Sequence, residues 1–293
     1  MKVKNSDNTA LHHFPSIYAL REWSESPMRL MHNDTVRTNC VRSGGGHESW
    51  LGVDSVAEVE KALVEGYAKG ADQIDALYDK FVARLPRAID IKRRRVFSEI
   101  GDSLDILAVY AGRFDKAWST TKRAMKHGTS IVRIVVDIGG NCGMSPQQLQ
   151  NRGLAALALS RIIVKAGYSC EIVAAIGIRN AAPRGKAMLL SCVVKPRHAH
   201  ADSRTLAATL ALAGFFRTVF FRGIVKAADE QGKDCDSCLG QAMAVDSMLD
   251  VEQGRVLQVI TPTLNRVADA EKWISDSLAL FGSQTLTAEQ GAR

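Results

Sequence analysis

No stretch of about 18 consecutive apolar residues occurs in the sequence, so no segment reads as a transmembrane helix and no membrane partner is expected. The opening segment, MKVKNSDNTALHHFP, has no apolar core of the kind a secretory leader needs, and a cytoplasmic location is the expectation. The six cysteines, Cys40, Cys142, Cys170, Cys192, Cys235 and Cys238, are irregularly spaced and exclude a disulfide framework. Neither GxSxG, HExxH nor GxxxxGK[ST] is present, which removes the commonest signatures of hydrolases, zinc proteases and nucleotide phosphatases. What remains is 46% hydrophobic and 24% charged over 293 residues, enough chain to bury a large core without metal or disulfide support.

Charge is unevenly placed. Between Arg84 and Arg133 there are 12 Lys/Arg against 5 Asp/Glu, so this segment carries an excess equal to the whole chain's formal +7. Its densest points are Lys92, Arg93, Arg94 and Arg95, and then Lys122, Arg123 and Lys126. Clustered cations attract polyanions by releasing condensed counterions, so these seven residues are the candidate nucleic-acid contacts, without sequence preference because no base-reading motif accompanies them. A solvated face without a partner is the competing reading.

Cys235-Asp-Ser-Cys238 is a lone CxxC that could pair with His198 and His200 as a zinc site. The helix expected to start at Ser203 and run to about Ala228 would hold the two pairs about 40 Å apart unless it breaks. Asp234 and Asp236 disfavour thiolate, and hence redox chemistry. Cys142 lacks a nearby histidine to activate it as a nucleophile.

Three regions are expected. Residues 1–53, punctuated by Pro15, Pro27 and a Ser-Gly-Gly-Gly run, read as an extended, loop-rich arm able to pack across another subunit. Residues 54–129 read as a helical basic region. Ser55 and Glu58 form a capping box for a helix ending at Gly70, and Ile74, Leu77, Tyr78, Phe81, Val82 and Leu85 form an apolar stripe that Pro86 stops. Phe114, Trp118, Thr121 and Met125 are spaced as the buried side of a basic helix ending at Gly128. From Ser130 to Arg293 the pattern is β-α-β-β-α-β-α, with strands near 131–138, 169–178, 186–194 and 255–260. Apolar strands alternating with helices predict an α/β domain with a mostly parallel sheet, helices on both faces and one antiparallel hairpin, since seven residues between the second and third strands allow no crossover helix.

The turn Asp137-Ile-Gly-Gly-Asn141-Cys-Gly-Met-Ser145 follows the first of these strands and feeds a helix capped by Ser145, Pro146 and Gln148. Open α/β sheets bind ligands at this place.

Val-Val-Asp-Ile-Gly-Gly-Asn-Cys-Gly resembles the nucleotide turn of S-adenosylmethionine-dependent methyltransferases, which implies an enzyme as one alternative. The order of elements over residues 130–282 resembles the von Willebrand factor A-like fold, whose first-strand loop holds Mg²⁺. That resemblance implies a degenerate metal site of Asp137, Asn141 and Thr205, with Gly139 and Asn141 replacing the family's two serines, and a cation-dependent protein-binding adaptor as a further alternative. Ser49-Trp-Leu-Gly52-Val-Asp-Ser55-Val-Ala-Glu58, Gly101-Asp-Ser-Leu-Asp105 and Gly112-Arg-Phe-Asp-Lys-Ala-Trp118 resemble uncharacterised proteins of phages and mobile elements, which implies a structural role in a host cell's cytoplasm or in a virion. Together these features predict a von Willebrand A-like or Rossmann-like domain in a non-enzymatic protein that needs no cofactor, forms a homo-oligomer and contacts nucleic acid through its basic region.

Overall fold

The computed structural model describes residues 2–6, 9–28, 47–82, 92–98, 103–124, 131–139, 144–166, 168–179, 187–197, 202–231, 241–243, 256–261 and 266–290. From the N-terminus these form β1 (Lys2–Ser6), β2 (Thr9–Phe14), α1 (Ile17–Glu25), α2 (His47–Leu51), α3 (Val56–Glu65), α4 (Ala68–Val82), β3 (Lys92–Ser98), β4 (Ser103–Leu104), α5 (Ile106–Tyr110), a 3-10 turn (Phe114–Lys116), β5 (Trp118–Ala124), β6 (Ile131–Asp137) and α6 (Pro146–Lys165). They continue as β7 (Ser169–Arg179), β8 (Ala187–Lys195), α7 (Ser203–Leu210), α8 (Ala213–Glu230), β9 (Gln241–Met243), β10 (Val256–Thr261) and α9 (Val267–Gln290).

The main sheet runs β1-β2-β8-β7-β6-β10, with β9 also paired to β7. β2–β8, β6–β7 and β6–β10 are parallel, and β7–β8 is the antiparallel hairpin that the short connection requires. The result is a mixed, mostly parallel α/β sheet flanked by helices, a general Rossmann-like architecture.

Strand parity sorts the sheet into two unlike faces. Val132, Ile134, Val136, Cys170, Ile172, Ala174, Ile176, Met188, Leu190 and Cys192 are buried on one side and belong to the main core with α1, α3, α4, α6, α7, α8 and α9. Each such aliphatic side chain contributes about 1.5–3 kcal/mol by leaving water. The other side carries a smaller cluster of Val135, Ala175 and Leu189, with Leu11 and Ile260 against it. Polar residues alternate with that cluster: His13 bonds Ser191 at 2.9 Å, and Glu171 accepts from Arg133 at 2.8 Å and Arg197 at 3.3 Å. Helices on both faces were expected; among the described residues, those packing on the sheet share the one main core. The alternation explains the difference, because a face rich in charged and hydroxyl groups offers a helix little apolar area to cover.

The N-terminal residues expected to form an arm instead extend the sheet. β1 and β2 form a hairpin, and β2 lies parallel to β8, pairing Thr9 with Ala187 and Phe14 with Cys192. Ser16 caps α1, which brings Leu20 into the core. α3 and α4 also join that core through Val59, Ile74, Leu77 and Phe81. The break between these two helices falls at Gly66 rather than Gly70. Gly66 has φ +87°, and a Cβ there would lie 2.4 Å from Arg204 Cβ, so both conformation and space call for glycine.

The long helix expected from Ser203 bends by 57° between α7 and α8. Gly153 of α6 makes room for the bend, since a Cβ on it would lie 2.0 Å from Leu210 O. No single described helix is long and apolar enough to cross a membrane; the bent α7–α8 pair passes that test by length and composition only, and its apolar side chains fill the core.

The basic region departs most from expectation. Residues 118–124 are strand β5, not helix, and β3, β5 and β4 make a separate three-stranded sheet. Helical spacing of Phe114, Trp118 and Thr121 is therefore coincidental; Trp118, Thr120 and Thr121 suit a pleated ribbon, where bulky and β-branched side chains meet less crowding. α5 and the 3-10 turn form an excursion between β4 and β5, tied down by Asp105 N donating to Ala117 O at 2.7 Å. Asp105 also caps α5 by accepting from Leu107 N and Ala108 N.

Candidate functional site

The sheet architecture brings two of the candidate basic clusters together. In the antiparallel β3–β5 pair, Lys92 faces Ala124, Arg93 faces Arg123, Arg94 faces Lys122 and Arg95 faces Thr121. Six of the seven candidate contacts thus occupy adjoining register positions, and Lys126 lies outside the described residues. Like charges directly opposite one another on a ribbon are destabilising, by an amount comparable to the roughly 0.2–1 kcal/mol that favourable pairs supply.

The excursion between β4 and β5 displays apolar side chains to solvent. Tyr110 is 85% exposed, Leu107 79%, Phe114 66% and Ile106 59%, whereas Ala108 and Ala117 anchor the excursion as its buried apolar side chains. Trp118 and Leu104 are partners across β4–β5 and both exposed, while Ser119, on the opposite face of β5, is buried and donates to Ser103 O at 3.4 Å. Phe114 and Trp118 were expected in a core; they are surface aromatics. Arg113 and Lys116, also exposed, flank Phe114.

The glycine turn lies at the carboxyl end of β6. Asp137 N donates to Thr261 Oγ1 at 3.1 Å, and Asp137 Oδ1 accepts from Gly139 N at 2.8 Å. Two buried guanidinium groups brace this turn from inside. Arg152 donates to the carbonyls of Asp137 and Gly139 and reaches Met144 Sδ at 3.0 Å. Arg217 donates to the carbonyls of Met144 and Trp50 and lies 3.7 Å over the Trp50 ring. Burial pushes the Arg152 guanidinium below its usual range, opposed by the charge of Asp137. These arginines escaped notice in the sequence, although a charge inside Phe215-Phe-Arg217-Thr-Val-Phe-Phe221 is a visible sign of a buried hydrogen-bonding duty.

For the candidate metal ligands, Asn141 lies outside the described residues, and Thr205 sits in the first turn of α7. Its hydroxyl donates to Asp202 Oδ2 at 2.6 Å, and Asp202 also accepts from Arg204 N and Thr205 N. Those bonds hold the Asp202 carboxyl below its ordinary range, the Thr205 hydroxyl contributing most. No three His, Cys, Asp or Glu side chains converge among the described residues. Of the candidate metal ligands the described residues include Asp137 and Thr205, whose carboxylate and hydroxyl make hydrogen bonds within the protein, and Gly139 has no side-chain oxygen. Cys142, Cys235, Cys238, His198 and His200 lie outside the described residues.

The profile of a domain of unknown function, DUF7192, matches residues 2–274. The chain belongs to that family. The DUF7192 match runs from β1 into α9, so it takes in the N-terminal hairpin, the basic ribbon and the main sheet together. No curated protein and no solved structure matches the chain.

Proposed function

We propose that the chain works by binding rather than by catalysis, as a structural protein that holds nucleic acid on the β3–β5 ribbon. The observation that carries this reading is the register that sets Arg93 opposite Arg123 and Arg94 opposite Lys122. Successive positions of a strand alternate between its faces, so each face of the ribbon carries one of these like-charged pairs, and phosphate bound at a pair turns repulsion into attraction. Self-association belongs to the same reading, because copies held side by side convert later contacts into intramolecular ones. The finer likeness to the von Willebrand A-like fold is part of the proposal, supported by the order β6, α6, the β7–β8 hairpin, α7 and α8, β10, α9. The direct hairpin from β7 to β8, without an intervening helix, counts against the methyltransferase alternative.

The test is fluorescence anisotropy of labelled nucleic acid across a salt series, comparing wild type with a variant carrying alanine at Arg93, Arg94, Lys122 and Arg123. Wild type is expected to bind with a steep log–log salt dependence. Each lost phosphate contact removes about 0.7–0.9 from that slope, so the variant should lose about three. Absence of binding at low salt, or an unchanged slope in the variant, refutes the proposal.

A further inference from the structure

Resting on that reading, we infer that the nucleic acid is single-stranded and that its bases stack on Tyr110, Phe114 and Trp118 beside the basic ribbon. The exposed side chains of Trp118 and Leu104 identify an open face of the small sheet at one end; on the other face Ser119 is buried and Ser103 opposite it is exposed. Strand parity carries that assignment along the ribbon. Positions 120 and 122 of β5 share the face of Trp118, and the register adds positions 92, 94 and 96 of β3. Two opposed basic positions, Arg94 and Lys122, therefore lie on the same face as the exposed indole, about 13 Å along the strand at ordinary rise. The 3-10 turn packs against β3 and β5 and presents Phe114 between Arg113 and Lys116, and α5 presents Tyr110 one turn of chain earlier.

This combination selects among polyanions. A duplex keeps its bases inside and offers only phosphates to the ribbon, leaving the aromatic rings in water. A single strand offers phosphates and unstacked base faces together, and aromatic faces beside a cationic track are the general means of holding it without sequence preference. A protein partner would be served by the aliphatic Ile106 and Leu107, but it gives no reason for the opposed basic positions Arg94 and Lys122 on the face of Trp118.

The experiment uses the full chain with a labelled oligothymidylate, the corresponding duplex and heparin as a polyanion without bases. The single strand should bind more tightly than the duplex or heparin. Tyr110→Leu and Phe114→Leu, which keep apolar area but lose the π face, should each weaken single-strand binding by roughly five- to a hundred-fold with the salt slope unchanged. Tyr110→Phe and Phe114→Tyr should restore it. Both side chains are largely exposed, so circular dichroism of the variants should match wild type. If duplex and single strand bind equally and the leucine variants bind as wild type does, stacking is refuted while the phosphate-binding ribbon stands. If nothing binds at low salt, both fall. If the leucine variants instead change only the oligomeric state, or release the chain from vesicles of anionic lipid, the patch is a protein or membrane contact and the inference is overturned.

Discussion

Replacing Gly153 by alanine tests the packing that bends α7 against α8. In an ordinary helix interior the change from glycine to alanine stabilises by about 1 kcal/mol, because the unfolded chain loses freedom and the helix gains a good former. Here the new methyl would lie 2.0 Å from Leu210 O, 2.3 Å from Leu210 C and 2.6 Å from Ala211 N. All three are backbone atoms at a bend, so no side chain can swing aside. Overpacking of this kind costs about 3 kcal/mol or more, which outweighs the propensity gain and leaves a net loss of about 2 kcal/mol. For a chain of this size that lowers Tm by about 4–8 °C. Urea unfolding followed by circular dichroism should show a lower midpoint with an unchanged m value. A raised midpoint would refute the reasoning outright, because without the close approach the substitution stabilises.

The other predictions concern buried polar groups. His12 is 2% exposed, neither ring nitrogen has a hydrogen-bond partner among the described residues, and burial depresses its pKa below 6.5, opposed by the charge of Glu230. The unfolded chain therefore takes up a proton before the folded one does, so stability is full above pH 6.5 and falls as pH drops through the folded value, by up to about 1.4 kcal/mol per pH unit. His12→Phe should flatten that part of the stability–pH curve, and an identical curve would show that His12 is not its source. Arg217→Met should cost about 2–4 kcal/mol in urea unfolding, since the carbonyls of Trp50 and Met144 lose charged donors, and Arg217→Lys should not restore it because an ammonium cannot serve both and stack on Trp50. A cost below about 1 kcal/mol for Arg217→Met would mean the two bonds do not brace the turn. Burial pushes the thiols of Cys170 and Cys192 up to about 11 and about 12, so both should resist iodoacetamide in the native protein and react on unfolding, as mass spectrometry would read; native modification of either would refute their burial.

The main sheet was legible in the sequence where local signals and burial agree. β6 is a β-branched run, and Ser145, Pro146 and Gln148 announce α6, whose capping box forms as expected. The Ser55 cap also forms, though Glu58 reaches back to Asp54 N rather than to Ser55 N. The β7–β8 hairpin followed from loop length alone. Three features were illegible for physical reasons. β2 pairs with a strand about 180 residues away, and nothing local encodes that. The bend between α7 and α8 contains no proline and depends on a glycine in another helix. Phe114, Trp118 and Thr121 fall at helical intervals although the last two lie in β5, and only its pairing with β3 shows which period governs. At the candidate site the charge cluster was visible from composition; the exposure of Phe114 and Trp118 was not, because aromatic spacing looks the same in a core and on a binding face.

The pairing of β2 with β8 bears on the order in which the chain matures. Residues 9–14 leave the ribosome long before residues 187–192, yet their place in the sheet is bounded by a strand that is complete only at Lys195. During synthesis the N-terminal hairpin must wait, unpaired on that side, while β6, α6, β7 and β8 assemble, and such long-range closure is slow. The waiting edge of β8 is equally open until the hairpin docks, and an open edge can accept a strand from another nascent copy. The β1–β2 hairpin therefore acts as a late closure of the β8 edge, ending the period in which that edge is open to misassembly.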